Sequence, residues 1–206
     1  MPTVFARFGL MIARIFRHAL RVLLALVFSV EGVYAQTPSA GDWRGHIEQI
    51  AHAAQGRVGV AVTVLETGAS IAVRGDQRFP MQSVSKLPIG MAVLQQVDQG
   101  VLQLAQQVWV ERNDFMARGQ HSPLRDRYPH DVALRVRDLL RFMVSDRDGT
   151  ACDVLVRLLG GPPRVTEYVR ALGVPDLGVA TTETDMGRDA TAQDRHWATP
   201  DALVAL

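Results

Sequence analysis

Ser83 and Lys86 are the two residues of this chain best suited to covalent chemistry together, and Lys86 is the single lysine among 22 basic residues. Every other fixed positive charge is an arginine. A guanidinium stays protonated, whereas a buried amine can give up its proton and act as a base. A Ser and a Lys three residues apart on a helix share one face. A neutral amine there can take the hydroxyl proton as the serine oxygen attacks a carbonyl. Free N–H groups at a helix start favour the oxyanion that develops. Ser-x-x-Lys therefore reads as nucleophilic acyl transfer. The bland alternative is a surface lysine beside an unrelated serine.

The surrounding pattern supplies elements that could hold such a pair. Val58, Val60, Val62 and Val64 alternate within Arg57–Glu66, which predicts a strand. Thr67-Gly68 makes a turn, and Ser70–Arg74 returns as a second strand. Ser83–Gln99 is then predicted as a helix, with Pro88 near its start and Gly100 ending it. A further helix is expected before the strands, at Trp43–Gln55, with Trp43, Ile47, Ile50, Ala51 and Ala54 on one face. Ala117–Asp131 reads as a charged loop. Leu134–Val144, Thr150–Leu159 and Arg164–Leu172 read as helices, and Gly173–Trp197 as a long irregular stretch suited to a functional loop.

With 206 residues, 48% of them hydrophobic, the chain can build one domain with a sizeable core. Its formal charge of +1 gives no reason to expect nucleic acid. Arg7, Arg14, Arg17 and Arg21 precede the apolar run Val22–Val30, and Val33-Tyr34-Ala35 offers small residues for cleavage before Gln36. Residues 1–35 are therefore expected to be a signal peptide, and the product to be periplasmic with no stable membrane association. Losing four Arg and Glu31, a net +3, takes the charge from +1 to −2. Cys152 is the only cysteine, so no intramolecular disulfide is expected. Its apolar helical setting predicts a buried structural thiol. His46 and His52 point to different faces of a helix and have no Cys pair before them, so no metal site is expected.

Phe79-Pro80-Met81-Gln82-Ser83-Val84-Ser85-Lys86 resembles the active-site helix of class A serine β-lactamases, whose motif set is S-x-x-K, S-D-N and K-T-G. Ser122-Pro123-Leu124-Arg125-Asp126-Arg127-Tyr128-Pro129 is similar to an insertion in the extended-spectrum branch of that class. So are Asp148–Leu155 followed by Gly160-Gly161, and Thr182–Met186 followed by Trp197-Ala198-Thr199-Pro200. The resemblance spans Gln36–Leu206. It implies an α+β fold, an antiparallel sheet flanked by helices, acting as a monomer on a small β-lactam without metal or organic cofactor. It implies Ser83 as the acylated nucleophile, Lys86 as its activator and Glu183 as the carboxylate that aims a water at the acyl-enzyme.

Three departures accompany the likeness. Where S-D-N is expected the ungapped register reads Arg147-Asp148-Gly149, and Arg cannot relay a proton to the leaving nitrogen. Ser145-Asp146-Arg147 is a second register, so Ser145, Asp148 and Gly149 are the expected substrate-side residues. Four residues after Glu183, where a polar side chain usually holds the water, stands Gly187. No K-T-G occurs, and the inner strands and last helix that the likeness implies are missing, so the chain is expected to be a truncated or partial sequence. The alternatives are a penicillin-binding D-alanyl-D-alanine peptidase and a non-catalytic truncated homologue.

Overall fold

Apolar spacing sets most of the elements, and the computed structural model describes them for residues 40–206. The expected signal peptide lies outside the described residues. Helix α1 (Ala40–Ala53) leads into the hairpin β1 (Val60–Thr63) and β2 (Ser70–Val73), antiparallel with Val60 opposite Val73 and Val62 opposite Ile71. β3 (Phe79–Pro80) and a 3₁₀ turn at Gln82–Ser85 precede α2 (Lys86–Asp98). β4 (Gln107–Val110), α3 (Pro123–Arg127), β5 (Val132–Arg135), α4 (Val136–Ser145), α5 (Gly149–Leu159) and α6 (Pro162–Ala171) follow. β6 (Leu177–Gly178), α7 (Glu183–Arg188), a 3₁₀ turn at Ala190–Arg195, β7 (Trp197–Ala198) and α8 (Pro200–Ala205) complete the described chain.

The core lies among α2, α4, α5 and α6, where Ile89, Val93, Leu139, Met143, Leu155, Val165 and Val169 are all buried. Burying one such side chain is worth about 1.5–3 kcal/mol, which makes this helical layer the stable frame for everything mounted on it. The strands are less well covered. Among the described residues they form three small antiparallel sheets, β1–β2, β4–β5 and β3–β7–β6. α1 packs on β2 and α8 on β1, but two strands make a narrow platform. Val62 and Val64 remain exposed, and so do Trp43 and Ile50 on the expected inner face of α1, where only Ala51 is fully buried.

Four sequence expectations need correction. Ser83 lies inside a 3₁₀ turn and not in the first α-helical turn, because regular α-helix begins only at Lys86. Val132–Arg135 is a strand paired with Gln107–Val110, so α4 starts at Val136 and not at Leu134. A four-residue strand carries too little alternation to be legible, and its pairing lies 25 residues away in sequence. Pro123–Arg127 forms a short helix inside the expected charged loop, capped by Ser122, whose side chain accepts from the Arg125 N–H. Glu183–Arg188 forms another within the expected irregular stretch, capped by Thr182. Both are too short to show a 3.6-residue pattern.

Candidate active site

Lys86 and Glu183 are 97 residues apart in sequence and meet in a direct hydrogen-bonded ion pair, Lys86 Nζ donating to Glu183 Oε1. The lysine is buried and the Glu183 side chain is 21% exposed. Ser83 stands one turn before Lys86, and together they line a cleft of about 460 Å³ with Glu183, Gln120, Gly187 and Arg147. A second, apolar cleft of about 700 Å³ shares Ser83, Lys86 and Arg147 and runs along Leu87, Met91, Leu94, Leu140 and Val144. Gln82, immediately before the serine, takes a positive φ of 47°. A non-glycine residue in that region is held there at a cost by its surroundings. The hold is visible: Gln82 Nε2 bonds to Gln193, and the adjoining Met81 N–H donates to the His196 carbonyl at 2.9 Å.

Glu183 is positioned by its backbone. It opens α7, where the first N–H groups have no partner within the helix. The Asp153 carboxylate on α5 accepts from the Glu183 N–H at 2.7 Å and from the Thr184 N–H at 2.9 Å. Burial pushes the Asp153 carboxyl above its usual range, and the bonds from Thr184 and Glu183 oppose that rise. Sequence reasoning did not single out Asp153. An Asp inside an apolar helix, aimed neither at a cap nor at solvent, was the available signal. On the other side, the Gln120 amide donates to the Glu183 carbonyl oxygen at 3.3 Å.

Of the six expected site residues, Ser83, Lys86, Glu183 and Gly149 come together at the smaller cleft, whereas Ser145 and Asp148 are absent from the lining of both clefts. Ser145 is the exposed last residue of α4. The position between that helix and α5 at the cleft belongs to Arg147, exposed and in left-handed backbone at φ 56°. Asp148 is fully buried, and its carboxylate is taken up by the Ala151 N–H at 2.7 Å, the Leu124 N–H at 2.7 Å and the Ser122 hydroxyl at 3.0 Å. It caps α5 and fastens the Ser122–Leu124 segment. Gly149 is closely covered: a Cβ there would meet Met116 Sδ at 2.9 Å, and Met116 would have to shift.

Cys152 is buried in α5, and burial pushes its thiol well above the ordinary range; the Lys86 charge opposes the shift and the neighbouring carboxylates add to it. A thiol so placed is a packing group and not a nucleophile. Among the described residues no group of three or more His, Cys, Asp or Glu side chains is arranged to hold a metal ion.

Comparison with known proteins places the chain in a family. Residues 44–206 match the model of the β-lactamase enzyme family. The chain is 32% identical over 193 residues to β-lactamase VEB-1 of Pseudomonas aeruginosa, covering 94% of this chain and 63% of that one. It is 35% identical over 176 residues to the extended-spectrum β-lactamase PER-1 of the same organism, covering 85% and 56%. The crystal structure of a representative class A β-lactamase from Bacteroides cellulosilyticus superposes with a TM-score of 0.70 at 32% identity, over 78% of this chain and 57% of that one. The chain thus spans about three fifths of the length of these relatives.

Proposed function

The chain belongs to the β-lactamase enzyme family, class A, and we propose that it opens the amide of a β-lactam through an acyl-Ser83 intermediate that water then hydrolyses. The observation that carries this reading is the Lys86–Glu183 hydrogen bond in the cleft that also holds Ser83. In acylation the Ser83 Oγ–carbon bond forms and the ring C–N bond breaks. Lys86 first passes a proton to Glu183 across their hydrogen bond, the neutral amine then takes the hydroxyl proton, and Lys86 returns that proton through water to the ring nitrogen as it leaves. The Ser83 N–H, in the opening turn, donates to the oxyanion. In deacylation a water oxygen bonds to the acyl carbon, the ester bond to Oγ breaks, Glu183 takes the water's proton and Oγ regains one. Asp153 serves as a positioning residue, because it fixes the backbone from which Glu183 reaches the water.

Residues 1–35 are read as a signal peptide and the product as a periplasmic monomer. Among the described residues no helix is long and apolar enough to cross a membrane.

One observation favours a second reading, acylation with little turnover. Arg147 stands at the cleft where a hydroxyl would relay the proton to the leaving nitrogen, and it cannot do so. The test is hydrolysis of a chromogenic cephalosporin by the chain exported in a bacterial host, beside Ser83→Ala and Glu183→Gln. Turnover in the parent and none in Ser83→Ala supports the proposal. In Glu183→Gln a covalent adduct on Ser83 should accumulate, detectable by mass, with deacylation slowed on the order of 10²–10⁴-fold. A parent adduct that persists as long as the variant's would favour acylation without turnover, or the penicillin-binding peptidase, which lacks a counterpart of Glu183. A parent that never acquires an adduct would sink the enzymatic reading.

A further inference from the structure

Two glycines at the cleft, Gly149 and Gly187, are overlain by side chains of one loop. Met116 lies over Gly149, and the Gln120 amide occupies the space that a Cβ on Gly187 would need. That loop is held from several sides. Arg125 Nη1 donates to the carbonyls of Met116, Ala117 and Gln120 at 3.1, 2.8 and 3.1 Å, and the Met116 N–H donates to Thr150 Oγ1 at 2.9 Å. The Gln120 side chain is oriented by its own two bonds. Oε1 accepts from the Ala117 N–H at 3.2 Å, and Nε2 donates to the Glu183 carbonyl at 3.3 Å. Only an amide in this orientation satisfies both, since an N–H needs an acceptor and a carbonyl needs a donor.

The Gln120 bond to the Glu183 carbonyl adds a second hold on the start of α7, beside that of Asp153. Asp153 grips the same stretch of backbone, but an ionised carboxylate accepts only and cannot serve the Glu183 carbonyl. Gln120 serves it and still has a second N–H. Gln120 lines the cleft with Ser83, Lys86 and Glu183, which puts that second N–H on the side chain nearest to a water held there by Glu183. We propose that Gln120 is the donor that positions the hydrolytic water, reaching in from the 116–120 loop to do what a side chain at Gly187 cannot. This rests on the acyl-serine reading above and names one more residue of that site.

The test separates the two steps of turnover in the full chain with a chromogenic cephalosporin. Gln120→Ala should slow decay of the Ser83 adduct about tenfold, the worth of one ordinary hydrogen bond, and leave its rate of formation nearly unchanged. The double variant Gln120→Gly/Gly187→Asn, which returns an amide from the opposite side, should recover most of that loss. A loop that matters only for structure would slow both steps together and would not be rescued. Adduct decay in Gln120→Ala equal to the parent's would overturn the inference while leaving the acyl-serine reading intact. Absence of any adduct in the parent would remove both.

Thermal unfolding checks the geometric premise without activity. Gly187→Asn should lower Tm in the parent, where Gln120 fills the space, and much less in the Gln120→Gly background. Strict additivity of the two changes would overturn the shared-space premise.

Discussion

At the residue scale, the most instructive position is Arg147. A guanidinium brings a permanent charge to the two clefts that share Ser83, but it does not give up a proton at working pH. Arg147→Ser should therefore raise the rate of adduct formation on Ser83, by up to on the order of 10²-fold if proton transfer to the leaving nitrogen limits that step. Single-turnover mass measurements check this, and an unchanged rate would show that another group supplies the proton. Arg147 stands in left-handed backbone, so Arg147→Ala, which carries the same backbone cost without a hydroxyl, is the control for the side chain. Asp148 teaches the opposite lesson. It has the right type and place for a substrate-side residue, yet its carboxylate is spent on Ala151, Leu124 and Ser122.

At the element scale, α7 is only Glu183–Arg188 and cannot hold its own orientation. Its start is fixed by Asp153 from α5, a helix of the packed core. Asp153→Ala leaves two helix-start N–H groups without their acceptor, which costs about 1–3 kcal/mol. For a chain of this size that is a Tm loss of roughly 2–12 °C. Adduct decay should slow with it, because Glu183 loses its mount. Asp153→Asn keeps one acceptor and should fall between. Unfolding curves and adduct lifetimes on the same samples check both effects, and a stability loss with unchanged decay would separate α7 anchoring from Glu183 function.

At the scale of the whole molecule, His196 ties stability to pH. It is 2% exposed, its Nδ1 accepts from the Ala180 N–H at 3.2 Å, and burial pulls its pKa down to about 4. The unfolded chain carries this histidine near its ordinary value of about 6.5. Between those two values the unfolded state binds more protons, so stability is full above about pH 6.5 and is lost as pH falls toward 4. The loss is about 3 kcal/mol, or roughly 6–12 °C in Tm. A His196→Asn variant keeps an acceptor near the Nδ1 position without the titration, so its Tm difference between pH 7 and pH 4.5 should shrink markedly. An equal difference in both proteins would assign the acid sensitivity to other groups.

Ser83, Lys86 and the helical layer were legible in the sequence because their signals are local. A lone amine three residues after a serine, and apolar spacing sustained over ten or more residues, need no distant partner to be read. Glu183 could be named only through a family likeness, since a single loop carboxylate carries no pattern of its own. Asp153, Gln120 and the β4–β5 pairing were not legible, and the reason is the same for each. Their meaning lies in contacts that close loops of about 25 to 63 residues. Residue type and spacing determined which chemistry this protein could attempt. Tertiary packing alone decided which carboxylate aims at the cleft and which is locked in a helix cap, because identical side chains differ only in what surrounds them.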